Sequence, residues 1–230
     1  MKRLFCNFKK FKNKIALISQ DNKKYTYDDV ENKSKILSSK IEKNSTIIII
    51  GSNQIECILG YIAFMKSNNL VILLDENFKI NYIENIIKKY QPNYIYSSNK
   101  NLIRLKKYNT VFSDKNFFLL KTNYKNFKKN KENYLLLSTS GTTQSPKFVR
   151  LSHKNVINNT NDIIKYLKIN SKHTTITTMP MAYSYGLSIL NTHLHSGATI
   201  IINKKTIFDR SFWSLFKKHK ITSFGGVPQF

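Results

Sequence analysis

Residues 134–153 read YLLLSTSGTTQSPKFVRLSH, in which an apolar run leads into a polar loop and a second short run follows. Five hydroxyl side chains surround Gly141, and the Pro146–Lys147 pair comes after them. Backbone N–H groups, hydroxyls and a lysine suit a phosphate group, and glycine lets the main chain approach it closely. We therefore predict a strand, an anion-binding loop and a strand. Composition alone leaves a polar surface turn open as the alternative.

Strand and helix patterns alternate on both sides of this loop. Apolar runs of strand length, such as residues 46–50 (TIIII) and 70–74 (LVILL), are separated by helical patterns. Such alternation predicts a sheet of parallel strands with helices on its faces. We expect an α/β fold with Rossmann-like parallel or mixed sheets and helices on both faces. We divide it into residues 1–125 and residues 126–230, the second part carrying the loop.

Several local features are expected within this framework. Thr26 and Asp29 have the spacing of a helix capping box, and Pro92 should end the helix before it. The Lys/Asn-rich segment 100–132 contains two short apolar runs that predict strands. The helix that follows the loop should bury one apolar face, formed by Val156, Ile157, Ile163, Ile164 and Leu167.

The composition limits the classes of function. The net charge is +25, but arginine occurs only at positions 3, 104, 150 and 210, so lysine supplies nearly all of it. A protein selected to bind nucleic acid should use more arginine, whose planar fork binds phosphate in a bidentate way. The abundance of Lys, Asn, Ile and Tyr indicates AT-rich codons instead, and we expect no nucleic-acid function.

Cysteine and histidine give no metal site or disulfide framework. Cys6 and Cys57 are too few and too distant for either, and His193 and His195 on a helix face different directions, which favours packed or solvated histidines. The aromatic residues among the N-terminal lysines (Phe5, Phe8 and Phe11) predict a short helix packed on the core. Without a secretory signal or an apolar run of membrane length, we expect a cytoplasmic protein and no transmembrane segment.

The loop does not match the phosphate loop of nucleotide hydrolases. In the pattern G-x-x-x-x-G-K-[ST], Gly141 and Lys147 have the required spacing. Pro146 stands where the second glycine belongs, and Phe148 replaces the hydroxyl that would bind magnesium.

The loop and its surroundings resemble the adenylate-forming superfamily, which includes acyl-CoA synthetases and amino-acid adenylation domains. Seven of the nine specified positions of its T-S-G-T-T-G-x-P-K-G motif match residues 139–148. Residues 179–202 (MPMAYSYGLSILNTHLHSGATIII) and residues 221–230 (ITSFGGVPQF) resemble the family's next two segments, in the same order. Gln144 and Phe148 replace two glycines of the motif.

The resemblance implies the N-terminal part of an ATP-dependent, AMP-forming carboxylate ligase. A small-molecule carboxylate would be adenylated, and the acyl group would pass to coenzyme A or a carrier pantetheine. ATP and Mg²⁺ would be needed, and the pocket would include Tyr183, Gly186 and Gly226. The implied residues for the ATP phosphates are Thr139, Ser140, Gly141, Thr142, Thr143 and Lys147.

The family's later motifs are not found in this sequence, including its Y-G-x-T-E motif and its C-terminal catalytic lysine. We therefore assign no catalytic residue and expect the fold to be incomplete at the C-terminus. Two further readings stay open at this point: a truncated, inactive nucleotide-binding remnant, or one half of a split enzyme whose second polypeptide supplies the rest.

Overall fold

The computed structural model describes residues 4–98, 108–124, 134–138 and 147–227. Its strands are β1 (Ile15–Ile18), β2 (Lys24–Thr26), β3 (Thr46–Gly51), β4 (Leu70–Asp75), β5 (Tyr94–Ser97), β6 (Asn109–Asp114), β7 (Phe117–Lys121), β8 (Leu135–Ser138), β9 (Phe148–Leu151), β10 (Thr174–Ile176), β11 (Thr199–Ile201) and β12 (Ser223–Phe224). Its helices are α1 (Tyr27–Ser38), α2 (Ile55–Lys66), α3 (Ile80–Tyr90), α4 (His153–Leu167), α5 (Ser184–His195) and α6 (Arg210–Lys218), with a short 3₁₀ helix at Phe8–Phe11.

The chain forms two compact units, each around one mixed sheet. The five-stranded unit comprises Met1–Lys33, Asn53–Ile55 and Asn155–Phe230, and the seven-stranded unit comprises Ser34–Ser52 and Glu56–Lys154. The segments of the two units alternate along the chain. The sequence analysis expected a linear division into residues 1–125 and 126–230. The expected boundary itself lies outside the described residues and stays a prediction.

The sheet of the seven-stranded unit has the order β6-β7-β5-β3-β4-β8-β9. Strands β5, β3, β4 and β8 are parallel, as the alternation of strands and helices predicted. The antiparallel strands β6, β7 and β9 complete its two sides. The two short strands expected in the Lys/Asn-rich segment are confirmed as β6 and β7, and Lys115, with a φ of 51°, lies in the turn between them.

The central strands of this unit are apolar along their whole length because both faces are covered. Helix α3 packs Ile83, Ile86 and Ile87 into the cluster formed by the isoleucines of β3, β4 and β5. Gln91, in the left-handed conformation with a φ of 43°, ends this helix and donates its N–H to Ile87. Pro92 follows and prevents continuation, as expected.

The five-stranded unit has the strand order β12-β10-β11-β1-β2, in which only β2 is antiparallel to its neighbour. The capping box at the start of α1 is confirmed: Asp29 N–H donates to Thr26 Oγ1 at 3.0 Å, and Thr26 N–H donates to the Asp29 carboxylate at 2.8 Å. Tyr25 and Thr26 belong to β2, and the helix begins at Tyr27, directly after the predicted cap residue Thr26.

The N-terminal aromatic residues pack as predicted, with Phe5 and Phe8 buried. The ring of Phe8 meets Tyr27 edge-on at 5.0 Å, and Tyr27 donates its hydroxyl to Ala198 O at 2.6 Å. Phe5 N–H donates to His195 Nδ1 at 3.2 Å. The first residues of the described chain are therefore tied to the end of α5.

Helices α2 and α4 differ in how much of their surface is buried. In α2, Tyr61, Ala63 and Phe64 are buried, as is the apolar stripe formed by Ile55, Ile58, Leu59, Ile62 and Met65. In α4 the buried positions are Val156, Ile157 and Thr160, whereas Leu167 is 56% exposed. Ile163 and Ile164 are half-buried, so the expected apolar face of α4 is wrong only at Leu167, the last residue of the helix.

Both histidines of the α5 pattern are buried, as the packed interpretation expected. His193 Nδ1 lies 2.9 Å from Ile189 O, and Nε2 lies 3.3 Å from Ser223 Oγ. Burial is the main cause that lowers the pKa of His193 to about 4. The ring is therefore neutral at pH 7, with Nδ1–H donating to the carbonyl and Nε2 accepting from the serine. The first bond lies within α5 and orients the ring, and the second connects α5 to β12.

The core of the seven-stranded unit gives a first prediction. Replacing the fully buried Ile83 by alanine should destabilise the protein by about 2–5 kcal/mol, because it removes apolar contacts and leaves a cavity. Ile36, also helical but 53% exposed, is the matched control, and Ile36→Ala should change stability by less than about 0.5 kcal/mol. Urea unfolding followed by circular dichroism measures both. Equal losses would contradict this packing.

The buried His193 predicts a pH dependence of stability. Its folded pKa of about 4 lies below the ordinary value of 6.5, so the unfolded chain binds the extra proton between these values. The contribution to stability is complete above pH 6.5 and is lost as the pH falls towards 4. Between pH 7.5 and pH 5 the loss should be about 2 kcal/mol.

The variant His193→Asn isolates this contribution, since all other histidines stay in place. Asparagine keeps an N–H donor but cannot take up a proton in this range. Its unfolding free energy should fall less between pH 7.5 and pH 5 than that of the unchanged protein, by about 2 kcal/mol. Parallel pH profiles for the two proteins would show that His193 does not carry the effect.

Candidate functional site

The expected phosphate loop begins and ends on two paired strands of the seven-stranded unit. β8 is parallel to β4, and β9 runs back along β8 with Ser138 opposite Phe148. The loop therefore starts at the carboxyl end of a parallel strand, where open α/β sheets bind their ligands. The predicted residues Thr139, Ser140, Gly141, Thr142 and Thr143 lie outside the described residues, and their role stays a prediction.

Lys147 is described, and it is exposed immediately before β9. Because the register pairs Ser138 with Phe148, Lys147 lies one residue beyond the last strand pair, at the end of the sheet from which the loop leaves. The antiparallel pairing thus places Lys147, the predicted cation of the motif, at the base of the loop.

Ser138 is a buried hydroxyl at the other end of the loop. It is 8% exposed, and its Oγ has no hydrogen-bond partner within the part of the chain that the structure describes. An unsatisfied buried hydroxyl costs about 1–3 kcal/mol. A donor at this point suits a polar group of the loop or an anion bound by it.

Phe148, which replaces a glycine of the family motif, points its ring into the core. It packs against the central apolar cluster and meets the ring of Tyr90 edge-on at 5.3 Å. The larger side chain is therefore accommodated by Tyr90 on α3. Of the two departures from the motif, Phe148 thus has a structural explanation, while Gln144 lies outside the described residues.

Two other reactive side chains lie near this edge of the sheet: Asp75 is hydrogen-bonded and Cys57 is buried. Asp75, the buried last residue of β4, accepts hydrogen bonds from Asn77 N–H and Nδ2, both at 2.8 Å. Burial and the carboxylates of Glu76, Glu56 and Asp75 raise the pKa of the Cys57 thiol far above its usual range. Cys57 is therefore a neutral core residue at pH 7 and is not a nucleophile.

His153 lies at the start of α4, close in sequence to the loop. Its ring meets Tyr134 edge-on, with the centroids 4.8 Å apart. Tyr134 in turn donates its hydroxyl to Met65 O. The ring of His153 is therefore half-buried against the residue that precedes β8.

The second candidate region lies in the five-stranded unit, between β10 and α5. Tyr183 is the half-buried residue that precedes α5, and its N–H donates to Pro180 O at 3.1 Å. Gly186 is buried, and a Cβ at this position would lie 2.3 Å from Pro180 O and 2.6 Å from Met179 O. Only glycine fits there, so the segment 179–186 folds tightly against the first turn of the helix.

The end of β12 reaches the same helix. Thr178 Oγ1 donates to Gly225 O, and a Cβ on Gly225 would lie 2.4 Å from Ile189 Cδ1 and 3.1 Å from the Tyr185 hydroxyl. The predicted pocket residue Gly226 is the next residue and is exposed. The sequence analysis named Gly226 as a pocket residue. In the structure the close contact with α5 is made by Gly225, the glycine before it.

The structure thus brings Tyr183, Gly186 and the Gly225–Gly226 pair to one end of α5, whereas Lys147 and Ser138 belong to the other unit. Among the described residues there is no cluster of three or more His, Cys, Asp or Glu side chains that could hold a metal ion. The described helices include none that is long and apolar enough to cross a membrane.

Known proteins resemble this chain in sequence over most of its length. The D-alanine–D-alanyl carrier protein ligase of Streptococcus agalactiae is 25% identical over 207 residues, which cover 84% of this chain and 40% of the relative. The ligase of the same description from Listeria welshimeri is 26% identical over 198 residues, covering 79% of this chain and 38% of that protein. The chain therefore spans about two fifths of the length of these relatives.

Solved structures share the fold. The o-succinylbenzoate CoA synthetase of Bacillus subtilis, in complex with an acyl-adenylate intermediate, superimposes with a TM-score of 0.80 at 17% identity, covering 99% of this chain and 62% of that one. Apo MatB from Rhodopseudomonas palustris gives a TM-score of 0.74 at 14% identity, covering 99% of this chain and 49% of that one.

The family of AMP-binding enzymes matches residues 5–230, nearly the whole chain. Together with the phosphate-loop motif held between β8 and β9, this match shows that the chain belongs to the AMP-binding enzymes and corresponds to the N-terminal part of the adenylate-forming superfamily.

Proposed function

We propose that this chain supplies the phosphate loop and part of the carboxylate pocket of an ATP-dependent, AMP-forming ligase. In the first step an oxygen of the substrate carboxylate attacks the α-phosphorus of ATP, and pyrophosphate leaves with the electrons of the broken P–O bond. In the second step a thiol attacks the acyl carbon, and AMP leaves. Both steps depend mainly on positioning and on neutralising negative charge.

The observation that carries the proposal is the pairing of β8 with β9 around the T-S-G-T-T motif. This pairing brings Lys147 to the base of the loop, at the carboxyl end of a parallel strand. An ammonium group there can bind a phosphoryl oxygen as a point charge. Thr139, Ser140, Gly141, Thr142 and Thr143 would supply hydroxyl and N–H donors to the ATP phosphates, which would be bound together with Mg²⁺.

The carboxylate pocket would be formed in part by Tyr183, Gly186 and Gly226. Support comes from the tight packing of segment 179–186 and of Gly225 on α5, which leaves side chains at the end of this helix fixed in place. Tyr183 is half-buried, so its ring can form one wall of a pocket while staying accessible to a ligand.

The acceptor thiol would belong to coenzyme A or to the pantetheine of a carrier. Sequence relatives are described as carrier protein ligases, and a fold neighbour is described as a CoA synthetase, so both acceptors agree with the comparisons. We further propose that the reaction takes place in the cytoplasm, where ATP is supplied. Residues not present in this chain, on the same or a second polypeptide, would complete the site.

Lys147 gives the direct test of the phosphate site. Lys147→Ala should weaken MgATP binding about ten- to a hundredfold, because hydrogen bonds to charged groups contribute about 1.5–3 kcal/mol. Lys154→Ala, which removes an exposed lysine seven residues later, is the matched control and should change the Kd less than about twofold. Equilibrium binding of MgATP measures both. Equal Kd values for the two variants would contradict the assignment.

Exchange of labelled pyrophosphate into ATP tests the reaction itself. The full-length natural protein should catalyse exchange only when a carboxylate from a suitable panel is present. MgATP binding without exchange for any carboxylate would favour the nucleotide-binding remnant instead, and Gln144 in place of a motif glycine would then be its first explanation.

A further inference from the structure

One asparagine, far away in sequence, holds the segment that precedes α5. Asn53 Nδ2 donates to Met179 O at 2.9 Å, and Asn53 Oδ1 accepts from Met181 N–H at 3.0 Å. The two partners are 126 and 128 residues away along the chain, yet all three residues belong to the five-stranded unit. A single amide group therefore binds the main chain on both sides of Pro180.

The geometry suits an amide. Met179 O needs a donor and Met181 N–H needs an acceptor, and the amide of Asn53 carries both on one planar group. Proline has no N–H of its own, so the backbone from Met179 to Met181 offers one acceptor and one donor on the side of Asn53. The donor and the acceptor of the Asn53 amide thus match the acceptor and the donor of this segment.

The backbone segment that Asn53 holds is in direct contact with the start of α5. Met179 O and Pro180 O lie against Gly186, at 2.6 and 2.3 Å from the position of a Cβ there. Pro180 O also accepts the N–H of Tyr183, whose own carbonyl accepts from Leu187 N–H. A chain of direct contacts therefore runs from Asn53 through residues 179–181 to Tyr183 and Gly186.

We propose that Asn53 is a positioning residue for the carboxylate pocket: it holds residues 179–181 so that Tyr183 and Gly186 keep the positions that the substrate requires. This inference rests on the proposed function. Two neutral hydrogen bonds at a half-buried position contribute modestly to folding. Misplacement of a binding group by about 1 Å, in contrast, can reduce turnover up to about a hundredfold.

The test uses two substitutions at position 53. Asn53→Ala removes both hydrogen bonds, and Asn53→Asp keeps the shape and the acceptor but replaces the N–H donor to Met179 O by a carboxylate oxygen. Asn32→Ala is the matched control, because Asn32 is exposed on α1 and bonds to the neighbouring side chain of Asp28. Pyrophosphate exchange in the full-length natural protein gives the KM for the carboxylate and the KM for ATP separately.

Both variants at position 53 should raise the KM for the carboxylate about tenfold or more, while the KM for ATP stays within about twofold. Hydrogen exchange of the amides of Met181 and Leu187 should accelerate in Asn53→Ala and stay unchanged in Asn32→Ala. A structural role alone would lower the unfolding midpoint and change both KM values together, and this result would overturn the proposal.

The hydrogen-exchange measurement separates this inference from the proposed function. If the unchanged protein shows no pyrophosphate exchange with any carboxylate, the proposed reaction is overturned, and amide exchange alone decides whether Asn53 positions the segment. Unchanged exchange at Met181 and Leu187 in Asn53→Ala would overturn the positioning role, whatever the activity.

Discussion

The pairing of β8 between β4 and β9 is the constraint on which the phosphate loop depends. A parallel neighbour on one side fixes the direction in which β8 ends, and an antiparallel neighbour on the other returns the chain to the same edge. Ser138 and Phe148, the strand residues on the two sides of the loop, are therefore one strand spacing of about 4.8 Å apart. The buried isoleucines of β3 and β4 hold these strands in place, so the position of Lys147 follows from the packing of the core.

The elements that the sequence predicted well are those specified by local chemistry. The capping box of Thr26 and Asp29, the end of α3 before Pro92 and the apolar parallel strands each depend on residues a few positions apart. How many faces of a helix are buried cannot be predicted from residues a few positions apart. Helix α2 shows an apolar stripe in sequence, but the structure buries its other faces too, as at Tyr61 and Phe64.

The residues of the candidate site also differ in whether local sequence could predict them. The T-S-G-T-T motif and Lys147 are contiguous, so a pattern could identify them. Gly225 and Asn53 matter through contacts with distant residues, namely Ile189 and the backbone near Pro180. The segment 221–230 pointed to the glycine pair, but the contacts that Gly225 and Asn53 make depend on residues far away in the sequence. The two compact units are likewise defined by contacts between distant segments.

A fold superimposed with a TM-score of 0.80 at 17% identity shows which features a sequence must keep. Core positions need only an apolar residue of suitable volume, and many combinations satisfy them. Positions where two backbones meet leave no such choice: any side chain at Gly186 would collide with Pro180 O, a main-chain atom that cannot move alone. Backbone contacts of this kind, more than the identity of the core residues, therefore preserve the shape of the region at the start of α5.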